Sequence, residues 1–183
     1  FIVPGDNGKV YVNGVAKREI FRVDTTTNQV DATWPIPQCE APHGLAVDTA
    51  THRLFSSCEN SELVVVNADT GAVVTTLPIG RGTDAAAFDP TRKLVFSSNG
   101  MDGTLSVIRE VDANTFVSAA TVKTALSART MGVDPVSGRV FLLAADTNAK
   151  ALAAFMAARR AGRRAPSPMV SGSLKLLVFD PGT

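Results

Sequence analysis

The sequence predicts an all-β fold made of repeated units of four short strands. Three observations carry that expectation. Asp48, Asp89 and Asp134 stand 41 and 45 residues apart. Each closes a short apolar run: Leu45-Ala46-Val47, Ala86-Ala87-Phe88 and Met131-Gly132-Val133. Seven residues beyond each aspartate stands a phenylalanine, Phe55, Phe96 or Phe141. A strand, turn, strand, loop, strand pattern that repeats at this period is the signature of a β-propeller blade.

Taken in order, the chain divides into four such units. Residues 1–37 offer strands at Phe1–Val3, Lys9–Asn13, Ile20–Asp24 and Gln29–Thr33, and Pro35 and Pro37 end the last one because proline cannot donate to a ladder. Tyr11 stands where later units have phenylalanine. Residues 38–80 form the clearest unit. Thr49–His52 is its polar hairpin turn, Ala68–Gly71 a β-turn with glycine supplying positive φ, and Ala72–Leu77 a β-branched outer strand. Residues 81–124 repeat it, with turns at Asp89–Arg92, a loop at Asn99–Gly103 and an outer strand from Phe116 to Val122. Residues 125–183 begin a fourth unit, interrupted between its second and third strands by an insert at 148–172. The insert opens on Ala149–Arg160, a strong helix-forming run. The third strand, Leu174–Val178, has no fourth after it.

Composition bounds the function. The chain has 183 residues, 45% of them hydrophobic, enough for one sizeable core. A net charge of +1 sets up no global field toward nucleic acid or a membrane surface. No run of about 18 apolar residues spans a bilayer. The chain starts at Phe1 with no signal peptide, as a processed or truncated product would.

Strand parity decides which side chains meet. Antiparallel strands numbered A to D from axis to rim bring the D–A and B–C loops to one face and the A–B and C–D turns to the other. The loop face collects His43, Arg81, Asp84, Asn99 and Arg129, together with the insert. These five are the candidate ligand-binding residues at the central mouth, though the same groups also suit pairing with one another and with loop carbonyls. The repeat aspartates fall near the opposite face, where an Asp at a strand end accepts N–H bonds from the next turn. Gly80-Arg81-Gly82-Thr83-Asp84-Ala85 matches a dinucleotide fingerprint in letters only, because no helix follows it. Lys150, Arg159, Arg160, Arg163 and Arg164 form a basic cluster, read chiefly as a solvated loop and alternatively as a contact for phosphate or an acidic partner. Neither G-x-S-x-G nor H-E-x-x-H occurs, and the residues call for no metal and no cofactor.

Cys39 precedes strand A of the second unit, and Cys58 ends its strand B. Counting back from the hairpin at Asp48–Arg53 puts both at one end of the blade, within the roughly 5–6 Å Cα separation a disulfide needs. Two reduced thiols, one in the sheet and one in a loop, fit the same positions.

The units resemble the YVTN-type β-propeller repeat proteins, including the YncE-like group. Tyr11-Val12-Asn13-Gly14 stands where that family's signature stands, without its threonine. Phe96–Asn99, Val65–Gly71, Pro42–Asp48 and Ala128–Asp134 are similar to its repeats. The resemblance implies a WD40-like propeller, here the C-terminal half of a seven-bladed ring in an exported bacterial protein, periplasmic or secreted. Missing blades or self-association would then complete the ring. Export favours an oxidised Cys39–Cys58 pair. The function implied is non-catalytic binding of a small molecule or protein at the central mouth. The alternatives are a lactonase-like hydrolase or an accessory propeller of a quinone or haem oxidoreductase.

Overall fold

A computed structural model describes residues 1–180, apart from the side chain of Arg159. The first sheet is β1 (Ile2–Pro4), β2 (Lys9–Gly14), β3 (Glu19–Asp24) and β4 (Gln29–Pro35). The second is β5 (Pro42–Asp48), β6 (Arg53–Cys58), β7 (Glu62–Asn67) and β8 (Val73–Pro78). The third is β9 (Thr83–Asp89), β10 (Leu94–Asn99), β11 (Thr104–Asp112) and β12 (Thr115–Lys123). The last has three strands, β13 (Met131–Val133), β14 (Val140–Ala144) and β15 (Lys175–Phe179), with α1 (Ala149–Arg160) between the second and third. All pairs are antiparallel and follow sequence order within each sheet. The first blade's outer strand runs past Thr33 to Pro35, which pairs with Glu19 as its final residue.

Successive sheets stack face to face, and their inner strands β1, β5, β9 and β13 lie side by side. The stacking explains why β7 carries the unbroken apolar run Leu63–Val66 and why every residue of β6, its two serines included, is buried: both faces of an internal blade are covered. Leu54, Val64 and Val66 enter the seam with the first blade, meeting Tyr11, Ile20 and Trp34. Phe55, Leu63 and Val65 enter the seam with the third blade. The repeat phenylalanine points at the following blade. Phe55 packs on Phe88 at 5.4 Å and edge-on against Phe116 at 5.8 Å. Phe96 does the same against Val140 and Leu142 of the fourth blade. Phe141, with no described blade beyond it, is only half-buried.

Two local devices repeat. A β-bulge interrupts the third-to-fourth strand pairing at Arg22/Val23, Val65/Val66 and Val107/Ile108, which adds twist to each outer strand. The repeat aspartates cap their hairpin turns. Asp48 accepts the Ala50 N–H at 2.9 Å, Asp89 the Thr91 N–H at 2.9 Å and Asp134 the Val136 N–H at 3.0 Å. In the second blade's C–D turn Gly71 sits at φ 75° directly beneath the Trp34 indole, a position with no room for a Cβ.

Candidate functional site: a cleft on the loop face

The D–A and B–C loops gather on one face, as strand parity requires. The disulfide fixes part of it. Cys39 and Cys58 are bonded, fully buried, with Cα atoms 5.1 Å apart. Cys58 faces Pro42 in the β5–β6 ladder, so the bond ties the loop before β5 to the end of β6. The Glu59 N–H then donates to Glu40 O at 2.7 Å and sets the direction of the next loop.

A cleft of about 470 Å³ opens beside this point. Its walls are Glu59–Ser61 from the second blade, Arg81 and Gly82 from the loop entering β9, and Met101 from the third blade. Its roof is Met156 and Arg160 of α1. The insert thus reaches back from the fourth blade across the loop face. The neck of the insert is closed by Asn148 N–H to Pro168 O at 3.0 Å, Val170 N–H to Asp146 O at 2.8 Å and a Lys175–Asp146 ion pair at 2.6 Å. Asn148 caps α1, its side chain accepting the Ala151 N–H at 3.0 Å. Gly162 at φ 65° and an Arg163 N–H to Ala158 O bond of 2.8 Å close the helix in a Schellman turn.

The five residues expected at a central mouth stand as follows around this cleft. Arg81 alone lines the cleft. Its backbone N–H and its guanidinium both donate to Asp102 at 2.8 Å, and these two, the amide first, hold the Asp102 carboxyl below its ordinary pKa. His43 stands one step behind, its Nε2 3.2 Å from the Glu59 carboxylate. Arg129 is exposed and lies over Gly100, and Asp84 is half-buried near the start of β9. Asn99 is fully buried. Its amide nitrogen reaches Gly80 O at 3.3 Å and its oxygen accepts from the Ser106 hydroxyl at 2.9 Å, so it knits a loop to the blade and offers nothing to a ligand. Asn13, one position earlier in the corresponding strand of the first blade, is also buried and donates to His43 O at 2.9 Å and Gly44 O at 3.1 Å.

Met101, Met156 and Ser61 are the cleft side chains that single-residue chemistry did not bring forward, whereas Arg160 belongs to the basic cluster of the insert. Their loops were legible on this face, but not which side chains turn inward. The cleft offers two guanidinia, a carboxylate, an amide, a hydroxyl and two thioethers, a binding inventory. Among the described residues no group of three or more His, Cys, Asp or Glu is placed to hold a metal ion. No helix is long and apolar enough to cross a membrane.

No family model and no curated protein matches the sequence. Solved structures do match. Hydrazine synthase of Kuenenia stuttgartiensis superposes with a TM-score of 0.65 at 15% identity, over 75% of this chain and 39% of that one. A chain of the mitotic checkpoint complex gives 0.65 at 16% identity, over 75% and 43%. Dihydro-heme d1 dehydrogenase NirN, in complex with DHE, gives 0.60 at 14% identity, over 76% and 31%. The chain therefore has the β-propeller fold, with four blades described. It spans 31–43% of the length of these neighbours.

Proposed function

We propose that this chain is a non-catalytic binding segment of a larger β-propeller of the YVTN, YncE-like kind, working in a bacterial envelope or secreted, with its ligand held on the loop face. One observation carries the reading. The B–C connections of the first three blades are short, at 15–18, 59–61 and 100–103, while the fourth runs from 145 to 174 and folds a capped helix over the cleft. Stacking of blades does not need that insert. Additions to a rigid repeat that enclose a cleft are where propellers carry function. The disulfide supports an oxidising compartment. The share of each neighbour left uncovered, and apolar blade faces at both ends of the stack, support further blades completing the ring.

A photoreactive amino acid in place of Met101, compared with one in place of Thr70 on the opposite face, tests this. Adduct formation with material from the native source at Met101 only is expected; equal or absent labelling would sink the reading. The likeness to hydrazine synthase and to a haem d1 dehydrogenase favours, as a second reading, an accessory propeller of an oxidoreductase. Stoichiometric haem or quinone in the purified protein would select it.

A further inference from the structure

Charge and apolar surface are combined in the cleft in a specific way. Between Asn148 and Ser173 lie Lys150, Arg159, Arg160, Arg163 and Arg164, and not one Asp or Glu. Lys150, Arg160, Arg163 and Arg164 are exposed, and none of the four forms an ion pair among the described residues. The acids nearby are already engaged: Glu59 by His43 at 3.2 Å, and Asp102 by Arg81 at 2.8 Å. Arg160 is therefore the cleft cation that no acid among the described residues holds within ion-pair distance. Beside it Met101 and Met156 form an apolar, adaptable lining.

From this juxtaposition we infer that the cleft binds an acidic polypeptide segment carrying an apolar side chain. A carboxylate of the segment meets Arg160. Its apolar side chain enters between Met101 and Met156. Further carboxylates follow the exposed guanidinia of Arg163 and Arg164 along the insert. Nucleic acid fits less well, because strand binding relies on aromatic faces for base stacking, and thioethers supply none. Phe155, the insert's one aromatic residue, does not line the cleft. The inference rests on the reading of the chain as a binding module and names the class of its ligand.

The test is fluorescence anisotropy on the intact chain with three probes: a short peptide alternating glutamate with leucine, its leucine-to-serine counterpart, and a single-stranded RNA of equal charge. The glutamate–leucine peptide should bind most tightly, with affinity falling at least about tenfold for the serine peptide, the scale on which burying a leucine side chain contributes. Arg160→Glu should weaken it at least about tenfold, the usual cost of juxtaposing like charges. Arg139→Glu, which removes the same charge next to Asp180, should leave affinity within about twofold. Equal loss from Arg160→Glu and Arg139→Glu would show unspecific attraction and overturn the inference. So would tighter binding of RNA, or no discrimination between the two peptides. If Met101 photo-labels a native ligand while neither peptide binds, the binding-module reading stands and this inference falls. If no adduct forms either, both fall.

Discussion

Glu110 of β11 and Thr51 of the β5–β6 turn meet across the seam between the second and third blades, Glu110 Oε1 lying 2.7 Å from the Thr51 hydroxyl. That hydroxyl also lies 2.8 Å from Asp48 Oδ2. The single Thr51 hydroxyl hydrogen is thus shared between two carboxyl groups. Glu110 is 2% exposed, and its second oxygen has no partner among the described residues. Burial pushes its pKa up, the Thr51 bond opposes this, Asp48 adds to the rise and Lys93 offsets part of it.

The pH dependence follows in sign. A folded-state pKa above the unfolded one gives stability that is complete below about 4.5, the ordinary Glu value, and lost as pH rises through the folded value. Thermal unfolding followed from pH 5 upward should show the midpoint falling until Glu110 has ionised. Glu110→Gln keeps a neutral side chain there at every pH and should flatten the decline. An equally steep decline in Glu110→Gln would show that Glu110 is not its source.

His52 adds a second contribution on the turn face. Its Nδ1 is 2.9 Å from Asp69, and its Nε2 3.7 Å from Asp6 of the first blade. Asp69, first by hydrogen bond and then by charge, raises the His52 pKa above the ordinary 6.5. Stability from this contact is complete below that value and lost as pH rises through the raised one. The side chain is 42% exposed, so the effect is small. His52→Gln should remove only the part of the midpoint decline that lies at and above pH 6.5, leaving the Glu110 part. Nuclear magnetic resonance titration giving His52 a pKa below 6.5 would contradict the contact.

The Cys39–Cys58 bond closes a loop of 19 residues' separation. Restricting the unfolded chain over that length contributes about 3 kcal/mol. Replacing both cysteines by serine should lower the unfolding free energy by about that amount in denaturant titrations, with a slope equal to or slightly above that of the wild type. Because Glu59 follows Cys58 directly, the variant should also raise hydrogen exchange in the loop at 59–61. A wild-type midpoint under strong reductant would refute both.

The fold was legible because blades repeat: one Asp-to-Phe spacing, seen three times, outweighs any single propensity. Strand parity also carried the loop face, and with it the insert's position. The side chains within the site were not legible to the same degree. Asn99 and Arg81 both sit on that face, yet one is buried under Gly80 and the other lines a cleft. Nothing in residue type separates an amide that satisfies a loop carbonyl from one that awaits a ligand. Nor does the repeat announce that α1 reaches back over the second and third blades, since an insert has no equivalent in the other units to be compared with.

The ends of the stack make the last prediction. In β15 the side chains alternate: Leu177 and Phe179 pack toward the third blade, while Leu176 and Val178 are 59% and 48% exposed on the other face. Their ladder partners Leu143 and Phe141 extend that face, Leu143 being 41% exposed. At the first blade Ile2 and Val30 are 67% and 55% exposed. Internal blades bury the corresponding surface completely, as Phe55, Leu63 and Val65 do. Contiguous apolar patches beside an unpaired strand edge drive association. The isolated chain should therefore sediment as concentration-dependent oligomers. Leu176→Lys together with Val178→Glu should shift it toward monomer without lowering the thermal midpoint, because neither side chain is buried in the chain itself. A wild-type chain that stays monomeric at high concentration would show that these faces do not associate. A double variant that unfolds earlier would mean that they are already packed within the chain.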